Sequence, residues 1–433
     1  MQTKEYARLG EKLYSCTLPN GLSLHVLPKP GFRSFYAVFA TNYGGAHRRF
    51  TLDGQTLDTP AGVAHYLEHK MFDLPDGDNA LTLLSANGAD PNAFTASGIT
   101  CYYFQCTEKF EENLKLLLHF VSTPYFTAET VQKEQGIIAQ EIRMGEDSPG
   151  SAVYYNLLKQ LYASHPIRDR VAGTVESIAE ITEETLYACH KVFYAPSNMC
   201  LCVEGDVDPE RIAALAEELL PAGRAAIPRA DFGPEEGPLP CETLHREAMP
   251  VSAPQFMIGA KLRPLSGEEG LRQRIVAQLA LRLLVGSSSP FYTSLYAKGT
   301  LNRDFDYEAD FAAGTGTVLL GGESEEPEAV LAALNAEIAR VCAEGFEPAA
   351  FERAKRASYG ARLRGLEDFE SVCVALATAQ FEGFCPLDAP EVLGNVTREE
   401  CEAFVRENLP PERFALSIIE PKKDEDNHVL HSV

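Results

Sequence analysis

The 433-residue chain contains no run of about 18 apolar residues, the length needed for a membrane-spanning helix. Its first residues, MQTKEYARLGEKLY, lack the apolar core of a secretory signal peptide. The eleven cysteines include no CxxC pair, a pattern that favours free, packed thiols in a reducing compartment. We therefore expect a cytoplasmic protein that does not enter the membrane.

Basic residues are also scarce. Lys and Arg number 38 against 62 Asp and Glu, which gives a formal net charge of −24. This balance argues against nucleic acid as a partner, because phosphate binding requires basic patches. An apolar content of 45% with 23% charged residues is typical of a globular chain. At this length, two or more domains are expected.

A proline-rich segment divides the chain near its middle. Residues 221–240, PAGRAAIPRADFGPEEGPLP, contain five prolines, which exclude a helix or a central strand. We interpret this segment as a linker between a first domain, residues 1–220, and a second domain, residues 241–433. The carboxyl-terminal KKDEDNHVLHSV is too polar to pack and is expected to be a frayed tail.

The parts on either side of the linker resemble each other. ITEETLYACHKVFYAPSNMCLCVE (181–204) aligns without a gap with VTREECEAFVRENLPPERFALSII (396–419), at a constant offset of 215. Each copy has the pattern of a Thr-capped helix, a proline turn and an apolar strand. Strand and helix patterns alternate without strict βαβ order, which indicates a mainly antiparallel sheet. We predict an α+β fold of two similar halves, each a mainly antiparallel sheet with helices packed on one face.

The pentapeptide HYLEH has the spacing of a metal site. Thr59-Pro60 predicts a helix start, and on that helix His65 and His69 lie one turn apart, close enough to share one ion. Glu68 flanks the same face. A catalytic zinc ion takes three protein ligands and keeps one position for water, and a carboxylate that does not bind the metal can take the water's proton. Two unrelated histidines are the alternative, so a third ligand is required.

The segment TAETVQKEQGIIAQEIRM (127–144) offers that third ligand. At helical period, one stripe contains Val131, Glu134, Ile138, Glu141 and Ile142. Both glutamates are therefore expected to be buried, which is unfavourable unless a cation is near. Salt bridges to arginines of neighbouring helices are one solution. A zinc ion on the facing helix accounts for both glutamates, one as a ligand and the other as support for a ligand.

HYLEH followed by a glutamate about seventy residues later resembles the HxxEH zinc metallopeptidases (inverzincins) of the pitrilysin–insulinase family. The resemblance extends over GADPNAFTA (88–96), EQGIIAQEI (134–142), HP…GTVESI (165–178) and YAPSNMCLCVEGDVDP (194–209). With the linker and the repeat it covers essentially the whole chain. The sequence resembles most closely the bacterial insulinase-like peptidases that occur as pairs, which are related to mitochondrial processing peptidase.

The resemblance implies roles for particular residues. His65, His69 and Glu141 bind one Zn²⁺ per chain, Glu68 is the general base, and Glu134 supports the site. The resemblance also places four consecutive residues at an open sheet edge, where an extended peptide substrate adds as a further strand. They are Asn92, Ala93, Phe94 and Thr95. An ordinary hairpin with a small-residue turn is the alternative for this segment.

The second half departs from the family pattern. Members usually carry an arginine and, seven residues later, a tyrosine that help to hold the substrate and the developing oxyanion. Here these positions are Tyr296 and Arg303. At offset 215 the metal-site positions fall on Ala280, Leu283 and Leu284. In two-chain members one subunit has the zinc site and the other has the Arg/Tyr pair, so we expect a heterodimer with a homologous subunit; a homodimer is the alternative.

These features together predict a zinc endopeptidase. It is expected to cleave short or unfolded peptides, with leader and precursor peptides as candidates, in a chamber between halves or subunits. Zinc activates the water and Glu68 is the general base. The rival interpretation is a noncatalytic scaffold subunit of a processing complex with a structural zinc. The intact Glu68 argues against that interpretation, because a structural site needs no free base.

Overall fold

A computed structural model of the protein describes residues 1–422, so the predicted tail lies outside the described residues except for Lys422. The strands are β1 (Gln2–Tyr6), β2 (Glu11–Thr17), β3 (Ser23–Pro28), β4 (Phe35–Thr41), β5 (Arg49–Leu52), β6 (Gln55–Asp58), β7 (Ala89–Thr95), β8 (Thr100–Cys106), β9 (Met199–Gly205), β10 (Arg229–Ala230), β11 (Leu244–Met249), β12 (Gln255–Leu262), β13 (Asp306–Ala312), β14 (Thr315–Glu323) and β15 (Ala415–Pro421).

The α-helices are α1 (Val63–Lys70), α2 (Ala80–Ala86), α3 (Phe110–Ser122), α4 (Ala128–Glu146), α5 (Pro149–Leu161), α6 (Val175–Ile178), α7 (Glu183–Phe193), α8 (Pro209–Leu219), α9 (Gly267–Val285), α10 (Pro290–Lys298), α11 (Pro327–Glu344), α12 (Pro348–Gly365), α13 (Phe369–Glu382), α14 (Ala389–Gly394) and α15 (Arg398–Asn408). Within residues 1–422, none of these helices combines the length and the apolar character needed to cross a membrane.

Two sheets with the same topology organise the chain. The first has the order β1-β2-β3-β9-β4-β8-β7 and the second has the order β11-β15-β12-β14-β13. The last five strands of the first order, β3-β9-β4-β8-β7, occupy the same positions as the five strands of the second sheet. In both sheets one pair is parallel, β3 with β9 and β11 with β15, and the other pairs are antiparallel. The predicted α+β fold of two similar halves is confirmed.

The repeat seen in the sequence corresponds to matching elements. Helices α7 and α15 begin and end 215 residues apart, and Thr182 and Thr397 cap their amino termini through their hydroxyl oxygens. A single 3₁₀ turn follows each helix, at Pro196–Asn198 and at Pro411–Arg413. The central strands β9 and β15 come next. Both strands are largely buried, as their unbroken apolar runs require.

The two halves exchange one helix each. Alternate residues of β4 point to opposite faces of the first sheet. One face is covered by α1, α2, α3, α4, α7 and α8 of the same half, and the other is covered by Phe369, Val372 and Leu376 of α13 from the second half. Reciprocally, α5 of the first half packs Leu157 and Leu161 on the second sheet. Each sheet is therefore sandwiched between helices of both halves.

The proline-rich segment is held against the first half. Its two-residue strand β10 pairs with β5 in a small sheet completed by β6. Phe232 lies 5.4 Å from the ring of His47 and 5.1 Å from that of His165, measured between ring centroids. Burial lowers the pKa of both histidines to about 4. Neutral imidazoles therefore pack on the phenyl ring at neutral pH.

Candidate active site

The helix that carries HYLEH begins later than the sequence predicts. Thr59-Pro60 does not start it; α1 begins at Val63, and its N-cap is Gly62, with a φ of 97°. The hydroxyl of Thr59 instead donates to the carbonyl of Arg48, at 3.1 Å. A Cβ at Gly62 would lie 2.5 Å from the carbonyl oxygen of Ala172. The chain is thus packed too closely here for any residue with a side chain, and the prediction of a Thr cap was wrong.

Three side chains converge between α1 and α4. The Nε2 atom of His65 lies 3.6 Å from one carboxylate oxygen of Glu141, and the Nε2 atom of His69 lies 3.5 Å from the other. One ligand atom of each residue falls within 4.8 Å of the others. Two imidazole nitrogens and a carboxylate oxygen are a donor set of catalytic zinc sites, which leaves a fourth position open.

Glu134 contacts His69 at Nδ1, the ring nitrogen that does not face Glu141. Its Oε1 atom lies 2.9 Å from Nδ1 of His69, which leaves Nε2 to face Glu141. The burial of His69 lowers its pKa, but the hydrogen bond to Glu134 and the nearby carboxylates more than offset this, so the pKa is raised. The hydrogen bond to His69 lowers the pKa of Glu134, and the nearby imidazole of His65, 3.6 Å away, lowers the pKa of Glu141. The glutamates are thus held as anions around the imidazoles, which suits a divalent cation.

His65 is held less firmly than His69. Its Nδ1 atom is buried and has no hydrogen-bond partner among residues 1–422. The helix itself is tied to α4 by the hydroxyl of Tyr66, which donates to the carbonyl of Val131. This contact fixes the separation of the two helices that supply the three converging side chains. No sequence pattern indicates this contact, because a tyrosine inside an amphipathic helix is ordinarily a core residue.

Glu68 does not belong to the converging set, and a threonine holds it in place. The hydroxyl of Thr95 donates to Oε2 of Glu68, at 2.6 Å. The hydroxyl of Thr100 lies 3.3 Å from that of Thr95 and donates to the carbonyl of Tyr43, at 2.9 Å. A free carboxylate beside a potential metal is therefore anchored to the sheet.

The strand that supplies Thr95 forms the edge of the seven-stranded sheet. β7 pairs with β8 on one side only, and it contains all four residues that the resemblance assigned to substrate, Asn92, Ala93, Phe94 and Thr95. β7 also packs directly against α1. Backbone groups on the open side of an edge strand are available to pair with an added strand.

The facing helix α4 departs from the predicted burial. Val131, Ile138 and Ile142 are buried as expected, and Glu134 is largely so, with 20% of its side chain exposed. Glu141 is half exposed, at 50%. The prediction that both glutamates are buried was wrong for Glu141, because α1 covers only one side of α4 and the site opens to solvent on the other.

The second half contains no equivalent of this site within the described residues. α1 ends at Lys70 and α9 ends at Val285, so the offset of 215 holds here too. The three positions equivalent to the motif residues are apolar and buried: Ala280, Leu283 and Leu284. Further along the second half, the neighbouring side chain of Tyr296 raises the pKa of Arg303, and both residues are exposed.

Comparison with known proteins defines the class. Residues 54–175 match the sequence profile of the insulinase family, peptidase family M16, and residues 180–358 match the profile called peptidase M16 inactive domain. The uncharacterized zinc protease YmfH of Bacillus subtilis is 36% identical over 426 residues, which cover 96% of this chain and 99% of the relative. The chain belongs to the insulinase family of peptidases, M16.

Solved structures agree with this membership. An M16-like peptidase from Alicyclobacillus acidocaldarius is 34% identical and superposes with a TM-score of 0.92, covering 97% of this chain and all of that one. A protease from Helicobacter pylori has the same fold, with a TM-score of 0.81 at 18% identity and coverage of 95% of this chain and 100% of that one. The family relatives named zinc proteases imply zinc as the metal of this class.

Proposed function

We propose that the protein is a zinc-dependent endopeptidase that cleaves short or unfolded peptides, leader or precursor peptides among them, in a chamber between halves or subunits. The observation that carries the proposal is the convergence of His65, His69 and Glu141 within 4.8 Å, beside a Glu68 that is not part of the set. A zinc ion bound there would act as a Lewis acid and lower the pKa of water toward about 7.

The remaining chemistry is assigned to the chain's own side chains. Glu68 takes the proton of the attacking water and passes it to the leaving amine, which is general acid–base catalysis by one carboxylate. Its Oε2 atom accepts from Thr95, so Oε1 is the oxygen we assign to proton transfer. Glu134 orients His69 through Nδ1, the type of support that ligating histidines receive in metal sites.

The substrate is assigned to the open edge of β7. An extended peptide that pairs with this strand gains backbone hydrogen bonds that do not depend on its sequence. Asn92 through Thr95 lie on this strand, and Thr95 connects it to Glu68. A bond in the added strand is thereby brought to the general base. This arrangement favours extended chains over folded proteins.

We also propose a homologous partner subunit that carries the usual Arg/Tyr pair, and a cytoplasmic location. The support for the partner is that Tyr296 and Arg303 occupy the pair's positions with the residue types interchanged. The support for the location is that the eleven cysteines are all free thiols. A homodimer is the alternative assembly, in which Tyr296 and Arg303 themselves would contact the substrate.

The proposed function is tested with Glu68→Gln. This change retains the shape of the side chain and the three converging residues, so the variant should bind about one zinc per chain while cleavage of unstructured peptides falls by several orders of magnitude. Metal analysis of the purified protein and quenched-fluorescence peptide assays, with the partner present, measure the two quantities. Cleavage at near wild-type rate would remove Glu68 from the role of base.

A further inference from the structure

Two cysteines lie side by side on a central strand of the first sheet. Cys200 and Cys202 are two residues apart on β9, so their side chains point to the same face. Their Sγ atoms lie 3.6 Å apart, and neither residue is exposed to solvent. Both pack with α13, on the face of the sheet opposite to the one that α1 covers. The proposed function makes no use of this pair.

The spacing of the pair is compatible with a strained disulfide. The rise of a strand places Cα atoms two residues apart at a distance of about 6.4–6.8 Å. The usual range for a disulfide ends at about 6.8 Å. A bridge between these thiols therefore requires a local contraction of β9. Strained disulfides are easily reduced, and they are typical of regulatory sites and not of structural ones.

A histidine distinguishes Cys200 from an ordinary core thiol. His25 of β3 lies beside the pair, opposite Cys202 in the parallel ladder. Its ring is held at both nitrogens: Nδ1 lies 2.9 Å from the hydroxyl of Ser15, and Nε2 lies 2.8 Å from Oε1 of Gln380. Burial raises the pKa of the Cys200 thiol, but the neighbouring Cys202 and His25 more than offset this, so the pKa is lowered.

The other thiols on this face behave differently. Burial raises the pKa of Cys101, Cys202 and Cys373. The pair therefore combines one thiol that favours the thiolate with one that stays protonated. A thiolate is the form that reacts with oxidants, and an adjacent second thiol can then displace the oxidised oxygen.

A cavity between the two halves leads toward the pair. Its volume is about 920 Å³, and its lining includes His25, Leu13 and Leu376. The two leucines belong to the same hydrophobic cluster as both cysteines. A small uncharged oxidant that enters the cavity is therefore separated from the thiols by a single layer of side chains, whereas a bulky reagent is excluded from them.

We propose that Cys200 and Cys202 form an oxidation site for hydroperoxides, in which Cys200 is oxidised first and Cys202 then closes a reversible disulfide. The Cys200 thiolate attacks one oxygen of hydrogen peroxide: an S–O bond forms, the O–O bond breaks, and the leaving hydroxide takes up a proton from the solvent. The sulfur of Cys202 then attacks the sulfenic acid: the S–S bond forms, the S–O bond breaks, and the hydroxyl leaves with the proton of Cys202 as a second water. Two thiols are oxidised and one peroxide is reduced.

The test uses the tryptic peptide 192–211, which contains both cysteines and no other. The full-length protein is treated with hydrogen peroxide at about pH 7, free thiols are blocked with N-ethylmaleimide in denaturant, and the peptides are quantified by mass spectrometry. The exposed thiol of Cys342 is the internal reference. The peptide should appear without maleimide and with two hydrogens fewer at least as fast as Cys342 is oxidised, because oxidation follows thiolate character. Dithiothreitol should restore both thiols.

Variants assign the two roles. In Cys202→Ser, Cys200 should accumulate as a sulfenic acid that dimedone traps when the protein is unfolded. In Cys200→Ser, Cys202 should stay reduced at the same peroxide concentration. Cys373→Ser is the matched control, because it removes another buried thiol from the same hydrophobic cluster and should leave the rate of bridge formation unchanged.

His25→Gln separates the effect of the imidazole from an effect on packing. The change removes the group that favours the thiolate, so bridge formation should be at least about tenfold slower. Looser packing would instead expose the thiols and make their oxidation faster. Oxidation of Cys342 in the same sample should be unchanged.

Three results would overturn the inference. Peptide 192–211 could stay reduced while Cys342 is oxidised, which would make both cysteines ordinary core thiols. Cys200 could be bridged to Cys373 or to a second molecule. Bridge formation in His25→Gln could be as fast as in the wild type or faster. None of these measurements requires peptide cleavage, so they test the oxidation site separately from the proposed function.

Discussion

The hydrogen bond between Glu134 and His69 allows a graded test of the candidate metal site. The carboxylate oxygen lies 2.9 Å from Nδ1, and it is the contact that orients Nε2 toward Glu141. Glu134→Gln keeps an oxygen that can accept this hydrogen bond and removes the charge. Glu134→Ala removes both. Partners of ligating histidines typically contribute about 10–100-fold to metal affinity. We therefore expect the zinc Kd to rise about tenfold in the Gln variant and about 100-fold in the Ala variant. These changes correspond to losses of roughly 1.4 and 2.7 kcal/mol of binding free energy.

The measurement is a competition titration against a chromophoric zinc chelator at about pH 7.5, with circular dichroism to verify the helices. Glu129→Gln is the matched control, because it removes one exposed carboxylate from the first turn of the same helix and should leave zinc affinity unchanged. Wild-type affinity in Glu134→Ala would refute the argument that this contact orients His69. Equal losses in the Gln and Ala variants would show that charge, and not the hydrogen bond, carries the effect.

Three further predictions address the site, the partner and the pH dependence of folding. Glu141→Gln should weaken zinc binding more than Glu134→Gln in the same titration, because it replaces a charged ligand with a neutral one. Arg303→Ala should reduce peptide cleavage little when the proposed partner subunit is present. If this chain alone is fully active and loses that activity in Arg303→Ala, the result would instead support a homodimer. Burial lowers the pKa of His190 to about 4, and the contact of its Nε2 with the carbonyl of Val121 opposes this only in part. The unfolded state therefore binds more protons between about pH 6.5 and pH 4, and the free energy of unfolding falls as the pH falls. Between pH 7 and pH 4, the free energy of unfolding measured in urea should fall by about 3 kcal/mol less in His190→Gln than in the wild type. An equal fall in both proteins would exclude a buried neutral His190.

The structural features that could be predicted from the sequence alone are those that depend on local patterns. His65 and His69 share a face because helical periodicity fixes residues four apart, and the stripe of Val131, Ile138 and Ile142 is buried for the same reason. The duplicated halves could be predicted because the helix, turn and strand signals recur at a constant spacing. The convergence of α1 with α4 followed only from combining the two helical patterns with the family resemblance.

Contacts between distant segments could not be predicted in the same way. Thr95 was assigned to the substrate, and its hydrogen bond to Glu68 depends on how β7 packs against α1. The late start of α1 depends on the carbonyl of Ala172, more than a hundred residues away. The exposure of Glu141 depends on which side of α4 is left uncovered. All three features are determined by tertiary packing, which a periodic sequence pattern does not encode.

The exchange of α5 and α13 has a consequence for how the protein can be divided. A fragment ending before the proline-rich segment would leave one face of its own sheet bare, since Phe369, Val372 and Leu376 would be missing, and it would carry α5 with no sheet to cover. Although the chain is built from two copies of one topology, neither copy is a self-sufficient folding unit. A single cooperative melting transition is therefore expected for the whole molecule, and the two fragments should become soluble only when they are produced together.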